Sequence, residues 1–161
     1  MGTSLGGAID YLVAALPTLL TAVDSTALVV DNYPTKTSQA MVIIGRGDPD
    51  SAMAADGSQM VVNLGAGRRE ESYNVPCFIS VYRNGPTQKP ARDAAIALFD
   101  VVAHLVAADP TLGGLLQLGR AAYMDRMQLV QTRDAEDAGG AGAMRLAMIA
   151  FDIHVSNTYV P

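Results

Sequence analysis

The sequence predicts an α+β fold, with a mostly antiparallel sheet that ends in a long C-terminal hairpin and is flanked by two main helices. Two stretches carry apolar residues at steps of three and four, which is typical of helices that bury one face. The other apolar stretches are shorter, alternate in polarity or are β-branched, and end in turn residues. At 161 residues, the chain 1–161 has the size of a single domain with its own core.

The first helix is expected over residues 5–23. Its apolar stripe consists of Leu5, Ile9, Leu12, Val13, Leu16, Leu19 and Leu20. Ser4 is placed to be its N-cap, and Pro17 is expected to kink or interrupt it, because proline lacks the helical N–H donor. Asp10, Pro17 and Asp24 interrupt the apolar stretch, so we expect no membrane-spanning segment. No basic region precedes this stretch, so we expect no secretory signal.

Four strands are expected before the second helix. Residues 27–31 and 40–44 are short apolar runs that end in turn residues, and residues 60–64 form a weaker third run. The most regular strand covers residues 71–83, where one face consists of Tyr73, Val75, Cys77, Ile79 and Val81. Pro76 cannot donate to a sheet ladder, which favours an edge position or an irregular start for this strand.

The second helix is expected over residues 88–108. A wide apolar stripe supports it: Ala94, Ala95, Leu98, Val101, Val102, Leu105 and Val106. Asp109 and Pro110 end the helix, and residues 112–115, with two central glycines, indicate a compact connector.

The last third of the chain is predicted to be a long hairpin of residues 121–132 and 143–155, joined by an acidic, glycine-rich tip. One face of its final strand consists of Ile149, Phe151, Ile153 and Val155, whereas Met144, Leu146 and Met148 are apolar on the opposite face. Both faces therefore need cover along part of the hairpin. Because a domain with two helices has little left to provide it, we expect a neighbouring subunit to supply that cover.

The composition favours a folded protein that associates with other proteins. Half of the residues are apolar and only 17% are charged, against about 25% in an average soluble chain. This excludes intrinsic disorder, and the net charge of −5 argues against a free-standing nucleic-acid binder. The single cysteine excludes both an intramolecular disulfide and a cysteine-based zinc site.

No catalytic, cofactor-binding or metal-binding residue is predicted. His104 and His154 lack a second ligand at metal-binding spacing, and Cys77 alternates with core residues of a strand. Residues 65–67 are too short a glycine motif to hold a phosphate, and no paired carboxylates lie on a rigid element. We therefore expect the protein not to be an enzyme.

Two charged clusters remain as candidate interaction sites. Arg68, Arg69, Glu70 and Glu71 precede the regular strand, either as solvated residues or as a salt-bridge strip between subunits. Asp134, Glu136 and Asp137 lie among glycines at the hairpin tip. They form either a solvated loop or an acidic lip that faces a passing polyanion or a partner.

The order of elements resembles a known family. It is carried by the strand at 71–81, the alanine-rich helix at 94–108, the connector at 109–114 and the closing strand at 145–155. Together they are similar to the tail terminator proteins of long-tailed bacteriophages, a family related to other neck and tail-completion proteins. The similarity extends over nearly the whole chain, but the family has no catalytic motif to match residue by residue.

The resemblance implies a structural virion protein. Members of the family form a homo-oligomer, a hexameric ring, that caps the tail tube, stops its polymerisation and joins the tail to a connector or stopper protein of the head–neck. The genome passes through the lumen, so DNA is a passing molecule without sequence-specific binding, and no membrane is involved. The resemblance further implies assembly in the host cytoplasm and a place in the tail or neck of the virion. Two alternatives stay open: a head-completion or connector protein of the neck, and a small cytosolic enzyme or ligand-binding domain.

Overall fold

The computed structural model describes residues 4–31, 36, 38–46, 56–63, 68–116, 122–133 and 144–159. They form two helices and six strands, in the order α1 (Leu5–Val23), β1 (Ala27–Asp31), β2 (Ala40–Ile44), β3 (Asp56–Asn63), β4 (Arg68–Asn84), α2 (Lys89–Ala108), β5 (Ala122–Arg133) and β6 (Met144–Tyr159). The predicted α+β class and the C-terminal hairpin are confirmed.

All six strands belong to one mixed sheet, in the order β1-β2-β4-β6-β5, with β3 beside the first half of β4. β1 and β2 are parallel, and every other pair is antiparallel. β4 and β6 pair along almost their whole length, from Arg69 opposite Tyr159 to Asn84 opposite Met144. β5 and β1 therefore lie at the two ends of this five-strand path, and we call them the outer strands; β3 forms a further edge beside the first half of β4.

The core lies between one face of the sheet and the two helices. α1 contributes a buried face at four-residue steps, Ala8, Leu12, Leu16 and Leu20, and α2 contributes Ala91, Ala95, Leu98, Val102 and Val106. The predicted apolar faces of β4 and β6 meet these helices. Phe99 of α2 contacts Phe151 of β6 edge to face, with ring centroids 5.2 Å apart, a favourable geometry for an aromatic pair.

Pro76 does not mark an edge strand, because β4 lies in the middle of the sheet. The backbone N–H of Tyr82 donates to Gln39, so even-numbered residues of β4 direct their N–H groups towards the β2 and β3 side. On that side β3 pairs with β4 up to Asn74, and β2 pairs from Cys77 onwards. Pro76 thus occupies the gap between two partner strands, where no ladder donor is needed.

The expected interruption of α1 at Pro17 is wrong. The helix continues through this exposed residue, and packing of its buried face outweighs the loss of one backbone hydrogen bond. By length and apolar composition alone, α1 also meets the requirements for a membrane-crossing helix, so Asp10 and Pro17 do not shorten it as expected. In the structure its buried residues form part of the core.

The third strand is longer and starts earlier than predicted, at Asp56 instead of residue 60. Its first four residues are polar or glycine, so an apolar-run criterion does not detect them. Gly57 pairs directly with Tyr73, and a Cβ atom there would collide with the Tyr73 side chain and the Ser72 carbonyl oxygen. Backbone pairing and close approach, rather than side-chain burial, therefore define the start of β3.

Candidate assembly surface

The sheet has two unlike faces. Odd-numbered residues of β4 and β6 point towards the helices, and we call that side the helix face; even-numbered residues lie on the open face. The open face carries a small buried apolar cluster of Met41, Ile43 and Phe78. Within the described ranges, the apolar residues packed against this cluster, Leu28, Val30 and Ala150, all belong to the sheet itself.

Apolar exposure concentrates on the distal hairpin, which we define as residues 127–133 of β5 and 144–150 of β6. Four of the seven exposed large apolar side chains among the described residues lie there: Met127, Leu129, Val130 and Met144. Met127 is 64% exposed. By their pairing, Met127 and Leu129 lie on the helix face, and Val130 and Met144 on the open face.

The three hairpin residues nominated from the sequence lie on the open face. Met144 is 40% exposed, and Leu146 and Met148 are half-buried. Side chains alternate between the two faces along a strand, so their neighbours in β6, Ala147 and Ile149, lie on the helix face and are buried in the core. Cover by a neighbouring subunit remains a prediction.

Two arginines face each other across β4 and β6 at the hairpin end of the sheet, and each is bound within the chain. Arg83 forms an ion pair with Asp24 at the end of α1. Arg145 is buried and donates to the carbonyl oxygens of Gly85 and Pro86, each at 3.1 Å. Burial acts to raise the pKa of Asp24, but hydrogen bonds from Thr26 and the charge of Arg83 together hold that pKa below its usual value. These contacts fix the turn into α2 and the end of α1.

The charged cluster at the start of β4 divides between the two faces. Glu71 is 2% exposed, and its carboxylate accepts hydrogen bonds from the Ser4 backbone N–H, at 3.0 Å, and from the Ser4 hydroxyl. The Tyr73 hydroxyl lies 2.8 Å from the same Ser4 oxygen. Ser4 therefore precedes α1 as predicted but makes no side-chain cap of its own. Glu71 is an interior anchor for α1, contrary to its placement in an exposed strip.

The rest of this cluster is less deeply placed. Arg69 and Glu70 are half-buried, and the Arg69 guanidinium lies over the Tyr159 ring, 5.5 Å from its centroid. The side chain of Arg68 is outside the described parts of the structure. A role for Arg69 and Glu70 between subunits stays a prediction.

A polar region occupies the open face beside the apolar one. Arg126, the extra residue of a β-bulge with φ of +45°, approaches Asp152 to 3.9 Å. Burial raises the pKa of Asp152, Arg126 lowers it and the nearby Asp125 raises it, with a net increase. A groove of about 440 Å³ opens beside this bulge, lined by Arg126, Met127, Gln128, Ala150, Phe151 and Asp152.

Next to this groove, a chain of hydrogen bonds joins β4 to β6. His154 Nδ1 lies 2.6 Å from Asn74 Oδ1, and its Nε2 lies 3.3 Å from the Ser72 hydroxyl. A serine hydroxyl beside a histidine nitrogen is the arrangement that acyl-transfer enzymes use for a nucleophile and its base. Such chemistry also needs hydrogen-bond donors for the oxyanion next to Ser72, and none is among the described contacts of this region. These hydrogen bonds join the side chains of β4 to those of β6.

The other residues considered for catalysis or metal binding are Cys77 and His104. Cys77 is fully buried, and burial raises the pKa of its thiol to about 12. His104 is exposed on α2. In the described ranges no group of three or more histidine, cysteine or acidic residues is arranged to hold a metal ion. Asp134, Glu136 and Asp137 lie outside the described residues.

The sequence did not predict the open-face cluster, which β2 and β4 form and against which Leu28 and Val30 of β1 pack. Residues 27–30 and 40–44 are apolar at every position, so polar and apolar residues do not alternate and the pattern does not distinguish one face from the other. A continuous apolar run is itself typical of a strand with two covered faces. That property of the two runs could have identified the cluster.

Comparison with known proteins gives a likeness in fold among solved structures. No protein-family model and no curated protein matches the chain. Among solved structures, a chain of the virion of a native gene transfer agent particle is similar in fold, with a TM-score of 0.50 and 21% sequence identity. The alignment covers 97% of this chain and 100% of that one. At this identity the likeness establishes the fold.

Proposed function

We propose that this protein is a structural component of a phage-like virion, and within it a tail terminator. In this role, copies assemble into a ring that caps the tail tube, stops its growth and joins it to the head–neck. The expected partners are other copies of the chain, the tail tube protein and a connector or stopper protein, and the ring lumen passes the genome.

The observation that carries the proposal is the distal hairpin, with exposed apolar side chains on both of its faces. A monomer in water gains nothing from such a surface, whereas a subunit of an assembly buries it. Arg83 and Arg145, the cations at this end of β4 and β6, are bound within the chain, so these two charges do not oppose close packing.

The full-length fold likeness to a chain of a gene transfer agent virion supports the virion context. The tail terminator role rests on the resemblance in the order of elements, from the strand at 71–81 to the closing strand at 145–155. The net charge of −5 is compatible with a lumen through which DNA moves without adhering.

Localisation on intact particles tests the role. Particles labelled with antibody fragments against this chain and imaged by electron microscopy are expected to carry the label at the junction of tube and head. Addition of the purified protein to polymerising tube protein is expected to stop elongation. Label at the head vertex of tailless particles, with no effect on tube growth, would assign the protein to head completion instead.

A further inference from the structure

The two outer strands of the sheet match each other in position. We call two residues level when the strand pairings connect them directly across the sheet. Leu129 of β5 is level with Val29 of β1, through the pairs with Ile149, Ile79 and Val42. By the same registers, Gln128 is level with Val30, and Val130 with Leu28. The exposed apolar segment of β5 therefore lies at the height of the whole of β1.

The two outer strands also run in opposite directions. β1 is parallel to β2, and three antiparallel pairings separate β2 from β5. A second copy placed beside the first in the same orientation would bring its β1 against β5 as an antiparallel pair. No inversion and no shift along the strands is needed.

The backbone groups at both edges are oriented for such a pair. In a strand, successive backbone N–H and C=O groups point alternately to the two neighbouring strands. The Tyr82–Gln39 hydrogen bond fixes this alternation in β4, and the registers carry it across the sheet. As a result, the N–H and C=O groups of Leu129 and of Val29 point away from the sheet. At the start of β5 the outward N–H of Ala122 is already bonded to Pro110, and at the start of β1 the outward N–H of Ala27 is bonded to Asp24. The open edges are therefore the distal part of β5 and the part of β1 from Leu28 onwards. Among the described strands, none pairs with the outer edge of β1 or of distal β5.

The side chains fit as well. Ala27–Val30 and Met127–Val130 contain no charged residue, so they lack the lysines and prolines that commonly protect sheet edges. In the level register, Leu129 meets Val29 on the helix face, and Val130 meets Leu28 on the open face. Apolar cross-strand pairs of this kind stabilise antiparallel sheets.

We infer that the distal edge of β5 binds the β1 edge of a second copy of this chain, so that the sheet continues from subunit to subunit. Such a head-to-tail contact is the same at every interface, and it produces a closed ring or an open filament according to the rotation between copies. The inference rests on the proposed self-assembly and specifies the contact that makes it.

Disulfide cross-linking tests the register in the intact chain. Directly opposed residues whose backbone groups point away from each other have Cα atoms about 4.5 Å apart, within the range for a disulfide. The double variant Val30→Cys, Gln128→Cys is expected to form a ladder of covalent oligomers under mild oxidation. The variant Val29→Cys, Gln128→Cys places its thiols on opposite faces and is expected to stay uncross-linked, and the buried Cys77 gives no background.

Proline substitution tests the edge independently. Leu129→Pro removes an outward N–H without removing a β5–β6 hydrogen bond, and it is expected to weaken self-association at least tenfold relative to Leu129→Ala. Thermal melting of the proline variant checks that it folds, and the cysteine pairs keep the test decisive if it does not. Wild-type oligomers with equal cross-linking in both cysteine pairs, or with none in either, would overturn the edge pairing alone. A wild-type chain that never associates would overturn the proposed function.

Discussion

The Glu71 carboxylate accepts a hydrogen bond from the backbone N–H of Ser4 at 3.0 Å, across 67 residues of sequence. Ser4 immediately precedes α1, so a side chain of the sheet occupies the place where a helix N-terminus favours negative charge. The contact joins α1 to the middle strand of the sheet.

Removal of this carboxylate is expected to destabilise the fold. Glu71→Ala leaves buried donors of Ser4 without their acceptor, so we expect a loss of about 1–3 kcal/mol in the free energy of unfolding. Urea denaturation measures it, and Glu70→Ala on the opposite face is the matched control, with a smaller expected loss. Equal losses in the two variants would contradict the anchoring role.

The Asp24–Arg83 pair predicts a pH dependence. A carboxyl group whose pKa is lower in the folded than in the unfolded chain stabilises the fold above the unfolded value, and this contribution disappears as pH falls through the folded value. Asp24→Asn is therefore expected to melt below the wild type at pH 7, with a difference that shrinks as the pH falls below 3.8. Melting curves across this range check it, with Asp31→Asn at the exposed end of β1 as control. A difference independent of pH would rule out the ion pair as its source.

The connector after α2 is expected to tolerate alanine unequally at its two glycines. Both have positive φ, +71° at Gly113 and +79° at Gly114, so alanine at either costs about 1–2 kcal/mol. A Cβ at Gly113 would also lie 3.0 Å from the Tyr11 ring, whereas Gly114 has open space. Gly113→Ala is therefore expected to lower the melting temperature more than Gly114→Ala. The reverse order would contradict this packing.

Neighbouring residues of β6 should separate folding from assembly. Ala147 is fully buried on the helix face, and Met148 is half-buried on the open face. Ala147→Asp is expected to prevent folding, because it buries an unpaired charge. Met148→Asp is expected to retain a cooperative melt and to lose oligomers in light scattering. Oligomers unchanged in a folded Met148→Asp protein would mean that this face packs within the chain.

The acidic hairpin tip is expected to contribute little to stability. Simultaneous Asp134→Asn, Glu136→Gln and Asp137→Asn substitutions should change the free energy of unfolding by no more than about 0.5 kcal/mol, since a glycine-rich tip rarely carries core contacts. Thermal melting of the triple variant measures this. A large fall in melting temperature would show that the tip supports the fold.

Local patterning was sufficient to predict α1 with its observed bounds, the helix face of β4 and the alternation along β6. It failed where the outcome depends on distant partners. The local sequence around Glu71 is typical of a surface segment, and only the pairing of β4 in the sheet places Glu71 against Ser4. Pro76 is typical of an edge strand, but here it lies in a central strand at the gap between β2 and β3. The bulge at Arg126 depends on pairing with β6, which no local signal encodes.

The central claim is self-assembly through the hairpin end and outer edges of the sheet. The mass of the purified full-length protein in solution, measured by light scattering over a range of concentrations and paired with electron-microscopic class averages, tests it most directly. We expect a discrete multimer that images as a closed ring. A protein that stays monomeric at every concentration, with no ring in the images, would contradict the account.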